Sequence, residues 1–247
     1  MDTLFRYAAD VTGHPYPAQM SPEFFWVCIW IVIAFCAIHS IRRSRSSPPA
    51  KPPARYNRNQ RIYHWGNSLL LAAVSLSGFS LFFRRSPDGP FGLTSLQIHV
   101  WSGLLFAAGV VFHAVAASLR GDWRSMRPEL RDFREAAVIW RNFLGNTGSY
   151  PAAGKYDALQ KLFHHTLALL SISFTASGVW MWLSAERIHF PGRVWLHVLR
   201  LVHDLSALLL VVMIAGHLYF SLIKVNRANL KDIAGLGASA PGSEAAD

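Results

Sequence analysis

The sequence predicts an all-α integral membrane protein with five spans, a four-helix bundle plus one extra N-terminal transmembrane helix. Three observations lead there. Hydrophobic residues make up 52% of the 247 and charged residues only 15%, whereas an ordinary soluble domain carries about 25% charged residues. The shortfall is local, since residues 22–41, 62–83, 96–119, 162–184 and 194–223 carry almost no charge. Each stretch is long enough to cross about 30 Å of hydrocarbon. Most of the 24 basic residues lie between spans, in alternate connections.

Residues 1–21 lack both a basic n-region and an apolar h-region, so they read as an outside segment rather than a signal peptide. The extra helix, 22–41, contains Cys28 and Cys36. Eight residues along one helix separates them by about 12 Å, too far for a disulfide, and they read as small apolar residues. No CxxC or Cys/His cluster suggests zinc or an iron–sulfur centre in this chain.

Residues 42–61 form a basic linker with Arg42, Arg43, Arg45, Lys51, Arg55, Arg58 and Arg61. Within it, 44–58 is rich in Ser, Pro and Arg, as flexible linkers are. It sets the first span apart from the remaining four, which occupy residues 62–224. The second span closes near Phe83, before a turn through Ser86, Pro87, Asp88, Gly89 and Pro90. A connection at 120–161 follows the third span and holds Arg120, Arg124, Arg127, Arg131, Arg134, Arg141, Lys155 and Lys161. Inside it, Leu130, Phe133, Ala137, Trp140 and Leu144 recur at helical spacing, which suits an amphipathic helix at the membrane surface. The tail at 225–247 adds Arg227 and Lys231, and reads as disordered after Ala234.

These basic segments all lie on one side of a five-span chain. The positive-inside rule makes that side cytoplasmic and puts the N-terminus outside, with the C-terminus cytoplasmic. The net charge of +10 is thus a matter of topology and does not call for nucleic acid. No internal repeat is read from the sequence.

Chemistry enters with the histidines. His64, His99, His113, His164, His165, His203 and His217 fall within or at the edges of spans two to five. Ionisable groups are costly in lipid and point to function. No matching set of buried carboxylates accompanies them. Neutral imidazole is a standard axial ligand of haem iron, and a low-spin b haem takes two. His203 and His217 are fourteen residues apart, nearly four turns, so they share a helix face about 21 Å apart. His99 and His113 repeat that interval. Two stacked haems would need this arrangement, with one histidine at each depth. Depth pairs His99 with His203 near the outer side. On the inner side, His217 has two candidate partners, His64 and His113.

Several stretches resemble a known family. Gln60-Arg61-Ile62-Tyr63-His64-Trp65, continuing to Ser77-Gly78-Phe79, resembles the opening helix of formate dehydrogenase membrane cytochrome b subunits. The wider, cytochrome b561-like superfamily includes the b-type cytochromes of nickel–iron hydrogenases and thiosulfate reductases. Gln97-Ile98-His99-Val100-Trp101-Ser102-Gly103 resembles its second helix. Lys155-Tyr156-Asp157-Ala158-Leu159-Gln160-Lys161 resembles the lead into its third, and His203 with His217-Leu218-Tyr219 resembles its fourth.

The resemblance implies two haem b groups, an inner one held by His64 and His217 and an outer one held by His99 and His203. His113 becomes a helix-packing or haem-edge residue. It also implies a quinone pocket beside the inner haem, with Asp157, Gln160 and His164 in its vicinity. Asp157 stands where the formate dehydrogenase pattern has Asn, and Leu159 where it has Gly, which is closer to the thiosulfate-reductase-like branch. The implied role is a respiratory oxidoreductase subunit of the bacterial inner membrane that does not itself carry the primary substrate site and has no catalytic residue of its own. Electrons from an outside-facing iron–sulfur partner and a catalytic subunit would reach quinone near the cytoplasmic face. Competing readings are a stand-alone dihaem quinone oxidoreductase that takes electrons from superoxide, and a non-redox haem-binding membrane anchor. Asp204, beside His203, either orients a histidine or faces a water-filled crevice.

Overall fold

The computed structural model describes residues 5–9, 15–43, 56–83, 90–121, 123–144, 151, 156–186, 193–223 and 226–236. Most of the 44–58 linker, the turn residues at 86–89 and the tail beyond 236 lie outside the described residues. Five long helices carry the apolar stretches: α1 (Pro22–Arg43), α2 (Arg58–Phe83), α3 (Pro90–Arg120), α6 (Ala158–Glu186) and α7 (Arg193–Leu222). All five are long and apolar enough to cross a membrane. Between α3 and α6 lie the short α4 (Trp123–Met126) and α5 (Leu130–Phe143), and α8 (Arg227–Ile233) follows α7.

A short hairpin precedes the helices and amends the all-α expectation. Strands β1 (Phe5–Ala9) and β2 (Pro15–Met20) pair antiparallel, with an irregularity between Arg6 and Tyr7. Strand β2 packs on α7. Met20 is buried in a cluster with Phe25 of α1 and Leu208 of α7, and its backbone N–H donates to Asp204. Asp204 therefore ties the hairpin to α7, while the histidine beside it is oriented by a different group.

Helix α2 packs along α3, α6 along α7, and α3 on α6, while α1 lies against α7. The centre of this arrangement is apolar: Phe106 of α3, Phe174 of α6 and Leu210 of α7 are buried, with Leu70, Leu71, Val110, Leu167 and Ile214 around them. One end of the helices carries the hairpin. The other carries the basic connections and is called the basic end below.

The two helix pairs are copies of one another, a repeat not read from the sequence. Tyr56, Asn57, Gln60, Arg61, Tyr63 and His64 have counterparts one hundred positions later in Tyr156, Asp157, Gln160, Lys161, Phe163 and His164. Both helices start with the same reciprocal cap. The Gln60 N–H donates to Asn57 Oδ1 at 2.8 Å and the Asn57 N–H to Gln60 Oε1 at 3.2 Å. The Gln160 N–H donates to Asp157 Oδ1 at 2.8 Å and the Asp157 N–H to Gln160 Oε1 at 3.0 Å. Each such cap satisfies two backbone donors that a helix start would otherwise leave unpaired.

Two ion pairs cross between the copies in matching positions. Lys161 of α6 bonds Asp132 of α5 at 3.2 Å, and Arg61 of α2 bonds Asp232 of α8 at 2.9 Å. Burial opposes ionisation of Asp132, but the Glu129 backbone N–H and the Lys161 ammonium outweigh it, so its carboxyl sits below the ordinary carboxylate value. A depressed folded-state value contributes stability that is full above the ordinary value of 3.8 and is lost as pH falls through the lower, folded one. Asp132→Ala leaves the Lys161 ammonium unpaired in a nearly buried site and costs about 3 kcal/mol. The expected readout is a lower melting temperature for the purified protein at pH 7, with the gap to the wild type narrowing as pH falls below the ordinary carboxylate value. Arg61 is more exposed than Lys161, and its loss costs about 1 kcal/mol.

Helix α5 buries Asp132, Ala136, Ile139 and Asn142 and packs on α6 through that face. The apolar stripe of Leu130, Phe133, Trp140 and Leu144 is exposed. The helix thus docks through one face, Trp140 reaches over to stack on Phe35 of α1, and the rest of the stripe stays exposed, as in a helix at a lipid interface.

Candidate functional site

The histidines are positioned by the repeat. Fourteen residues along an α-helix return a side chain to nearly the same face, so α3 and α7 each present two imidazoles toward the other helices at two depths. Towards the hairpin end, the His99 and His203 rings meet with centroids 6.0 Å apart. At the basic end, His64 and His217 meet at 6.3 Å. His113 turns instead towards His164, at 6.1 Å, so the structure brings His217 together with His64.

These separations can be tested against haem iron. Two imidazoles binding one iron from opposite faces, each about 2 Å from the metal with its ring centre about 1.2 Å further out, have centroids roughly 6.3 Å apart. Both pairs meet that requirement.

The hairpin-end pair also has its remaining ring nitrogens fixed. His99 Nδ1 donates to the Val74 carbonyl at 2.9 Å, and His203 Nδ1 to the Phe174 carbonyl at 2.8 Å. A backbone carbonyl can only accept, so each bond puts the proton on Nδ1 and leaves Nε2 with its lone pair for a metal. Ser77 and Ser177, one turn on, sit beside the same two carbonyls, each donating at closer range to the carbonyl of the preceding residue, Ala73 and Ser173. Ser77 Oγ lies 3.1 Å from the Val74 oxygen and 3.3 Å from His99 Nδ1. Ser177 Oγ lies 3.1 Å from the Phe174 oxygen and 3.3 Å from His203 Nδ1.

Gly78 and Gly178 complete the matched seats. A Cβ at Gly78 would stand 3.0 Å from His99 Cε1, and one at Gly178 the same distance from His203 Cε1. Each imidazole edge therefore rests on a glycine, and the close approach, rather than any unusual backbone, favours glycine there, since any Cβ would push the ring by a few tenths of an ångström.

At the basic end the supports are aromatic. Phe163 stacks on His217 with ring centres 5.3 Å apart, and Tyr63 stacks on His113 at 4.1 Å. Asp157 and Gln160, expected near a quinone, supply the cap of α6. His165 Nδ1 donates to the Lys161 carbonyl, 2.9 Å away, and its ring meets His164 edge-on at 5.8 Å. The tryptophans near span ends (Trp65, Trp101, Trp180, Trp182 and Trp195) are exposed, as an interfacial belt would be.

One histidine was missed in the sequence. His39 of α1 is buried, and its Nδ1 lies 2.7 Å from the Tyr219 hydroxyl of α7. This bond attaches the added helix to α7 two residues beyond His217. A lone histidine on an isolated span has no spacing partner to betray it.

Comparison with known proteins agrees with this geometry. A curated relative, the cytochrome b556 subunit of formate dehydrogenase from Haemophilus influenzae, is 28% identical over 175 residues, covering 68% of this chain and 69% of the relative. The prokaryotic cytochrome b561 family matches residues 55–234, a stretch that includes both histidine pairs and both halves of the repeat. On that match, and with four imidazoles paired at iron-ligating separation inside apolar helices, the chain belongs to the prokaryotic cytochrome b561 family.

Proposed function

We propose that this membrane b-type cytochrome is the dihaem, quinone-reactive subunit of a respiratory oxidoreductase complex in a bacterial inner membrane. In this reading α2, α3, α6 and α7 form a four-helix bundle, with α1 as an added helix. The observation that carries the proposal is the separation of the two ring pairs, 6.0 and 6.3 Å, at two depths of that bundle.

His99 and His203 hold the outer haem b, and His64 and His217 the inner one. When bound, the two groups supply one-electron carriers at two depths of a low-dielectric interior. The chain's own residues do the rest. The Val74 and Phe174 carbonyls fix the donor tautomer of the outer ligands, Gly78 and Gly178 set their ring positions, and Phe163 backs His217. The apolar centre around Phe106, Phe174 and Leu210 excludes water between the two depths.

The basic end is cytoplasmic by the positive-inside rule. Quinone binds near it, with Asp157, Gln160 and His164 in its vicinity, and the partners are an iron–sulfur subunit and a catalytic subunit on the outside. The relative is by name a subunit of formate dehydrogenase, which supports a multi-subunit assembly for this chain. The hairpin and α1, which together cover the hairpin end of α7, supply surface for such contacts.

A redox titration of the purified protein, followed at the reduced b-type absorption bands, tests this reading together with ligand substitutions. His64→Ala is expected to lose one haem while the outer haem keeps its spectrum. Retention of every haem in His64→Ala would remove the carried-over inner ligand. Isolation of the chain without partners under mild detergent, with undiminished quinone reduction by superoxide, would instead support the stand-alone cytochrome.

A further inference from the structure

We propose that His113 and His164 are a proton-handling pair for quinone at the basic end. His164 donates a proton to a quinone oxygen, and His113 behind it restores that proton. The proposal rests on the dihaem, quinone-reactive reading and deepens it on the quinone side.

The internal repeat locates the pair. It sets α2 on α6 at an interval of one hundred residues and α3 on α7 at 104, so His164 is the mate of His64 and His113 the mate of His217. The inner haem ligands therefore have counterparts at the same depth, whose rings meet edge-on with centroids 6.1 Å apart. In a dihaem chain this second pair holds no iron. Ionisable rings facing each other between apolar helices are costly, so a chain that carries them without a metal has another use for them.

The differences between the two halves point to that use. Phe163 stacks on His217 at 5.3 Å, whereas its mate Tyr63 stacks on His113 at 4.1 Å and carries a hydroxyl hydrogen-bonded to Asn67. The mate of Asn67 is Leu167, which belongs to the apolar centre. Gly109, one turn before His113, makes room for the amide: a Cβ there would stand 2.5 Å from Asn67 Oδ1. The mate of Gly109 is Met213. His165 meets His164 edge-on at 5.8 Å, in the position that Trp65 holds beside His64. All four differences place polarity, or room for it, around His113 and His164, and apolar bulk in the other half.

Reducing one quinone to quinol takes two electrons, delivered through the chain, and two protons, one for each oxygen as its C=O becomes C–OH. Imidazole suits the second task because it exchanges a proton near neutral pH. The His164 imidazolium gives its proton to the quinone oxygen and takes another from His113, which is refilled from cytoplasmic water. Tyr63, anchored by Asn67, fixes the plane of His113, a positioning residue that acts on quinone only through His164. The titratable groups facing the pair are Tyr63 from α2 and His165 from α6 itself. Lys161, one turn before His165, is held by Asp132 of α5, and His217 of α7 faces His64.

The test uses the full-length protein in mild detergent, its haems reduced with dithionite without excess and then reoxidised by decylubiquinone or menadione in a stopped-flow instrument. Reoxidation is expected to slow as pH rises through the histidine range, because the imidazolium is the donor, and to be slower in D2O. His164→Gln and His113→Gln are expected to lose about 100-fold in rate together with the pH dependence, while keeping both haems. The quinone concentration for half-maximal rate should rise in His164→Gln and stay unchanged in His113→Gln. Wild-type rates in both variants would overturn the relay, as would loss of a single haem from either folded variant. A wild-type rate that is flat in pH and shows no isotope effect would overturn it too, and that measurement decides the matter if a variant fails to fold. Wild-type haems that neither quinone reoxidises would sink the quinone-reactive reading itself.

Discussion

His203→Ala is expected to remove one haem per chain and to lower electron transfer from an outside donor to quinone by at least 100-fold. The outer site takes one imidazole from α3 and one from α7, and neither neighbour offers a replacement. The nearest polar side chain, Ser177, already lies 3.1 Å from the Phe174 oxygen. With His203 gone, His99 faces an apolar gap and a single neutral ligand. The basic-end pair, about 21 Å further along the helices, keeps its own geometry. The expected spectrum therefore loses one component and retains the rest. A variant that kept its full haem content would show that His203 is not an iron ligand. His99→Ala should behave alike, since the two residues exchange under the internal repeat, and a large difference between them would argue against equivalent roles.

Gly178→Val is expected to have the next largest effect. Its Cβ would meet His203 Cε1 at 3.0 Å, closer than carbon atoms ordinarily approach, and the added methyls would reach into the space of the ring. The imidazole must then swing away from the Phe174 carbonyl, breaking a 2.8 Å bond that both sets the tautomer and adds basicity to the ligand. Gly178→Ala should leave the haem in place and shift its reduction potential, because the ring has to give by only a few tenths of an ångström. Gly178→Val should lower occupancy of the outer site about tenfold, a loss of about 1.4 kcal/mol in binding. Haem content and the titration midpoint of the outer component read the two cases. An unchanged potential in both variants would mean that the glycine seat does not constrain the ligand.

The long helices were readable because lipid leaves a coarse signature, some twenty apolar residues without charge. The paired histidines were readable for a related reason, since an imidazole in such a run is conspicuous and fourteen residues is a near-integral number of turns. The choice between His64 and His113 as the partner of His217 was not readable from spacing, because both lie at the right depth. It depends on which helices stand next to each other.

The carbonyls of Val74 and Phe174 were invisible, since every residue has one and only the fold selects which is presented. The repeat escaped for another reason. The interval is one hundred residues between α2 and α6 but 104 between His99 and His203, so no single offset aligns the two halves. Most positions between the matched residues are interchangeable apolar ones. The hairpin was hidden by Pro15 and Pro17, which argue against a strand, although β2 pairs with β1 alone in a two-stranded sheet and tolerates them. The amphipathic pattern of α5 was legible, but not which face would dock. Asp132 sits on the buried face because Lys161 waits there.

The crossed ion pairs have a consequence for how such a chain holds together. Arg61 in the first half ties to Asp232 in the second, and Lys161 in the second ties to Asp132 in the first. Each half thus clasps the other at the same end, as two partners in a symmetric dimer would. Two self-complementary pieces held this way stay in equal number, and either can diverge in sequence while its clasp on the other persists.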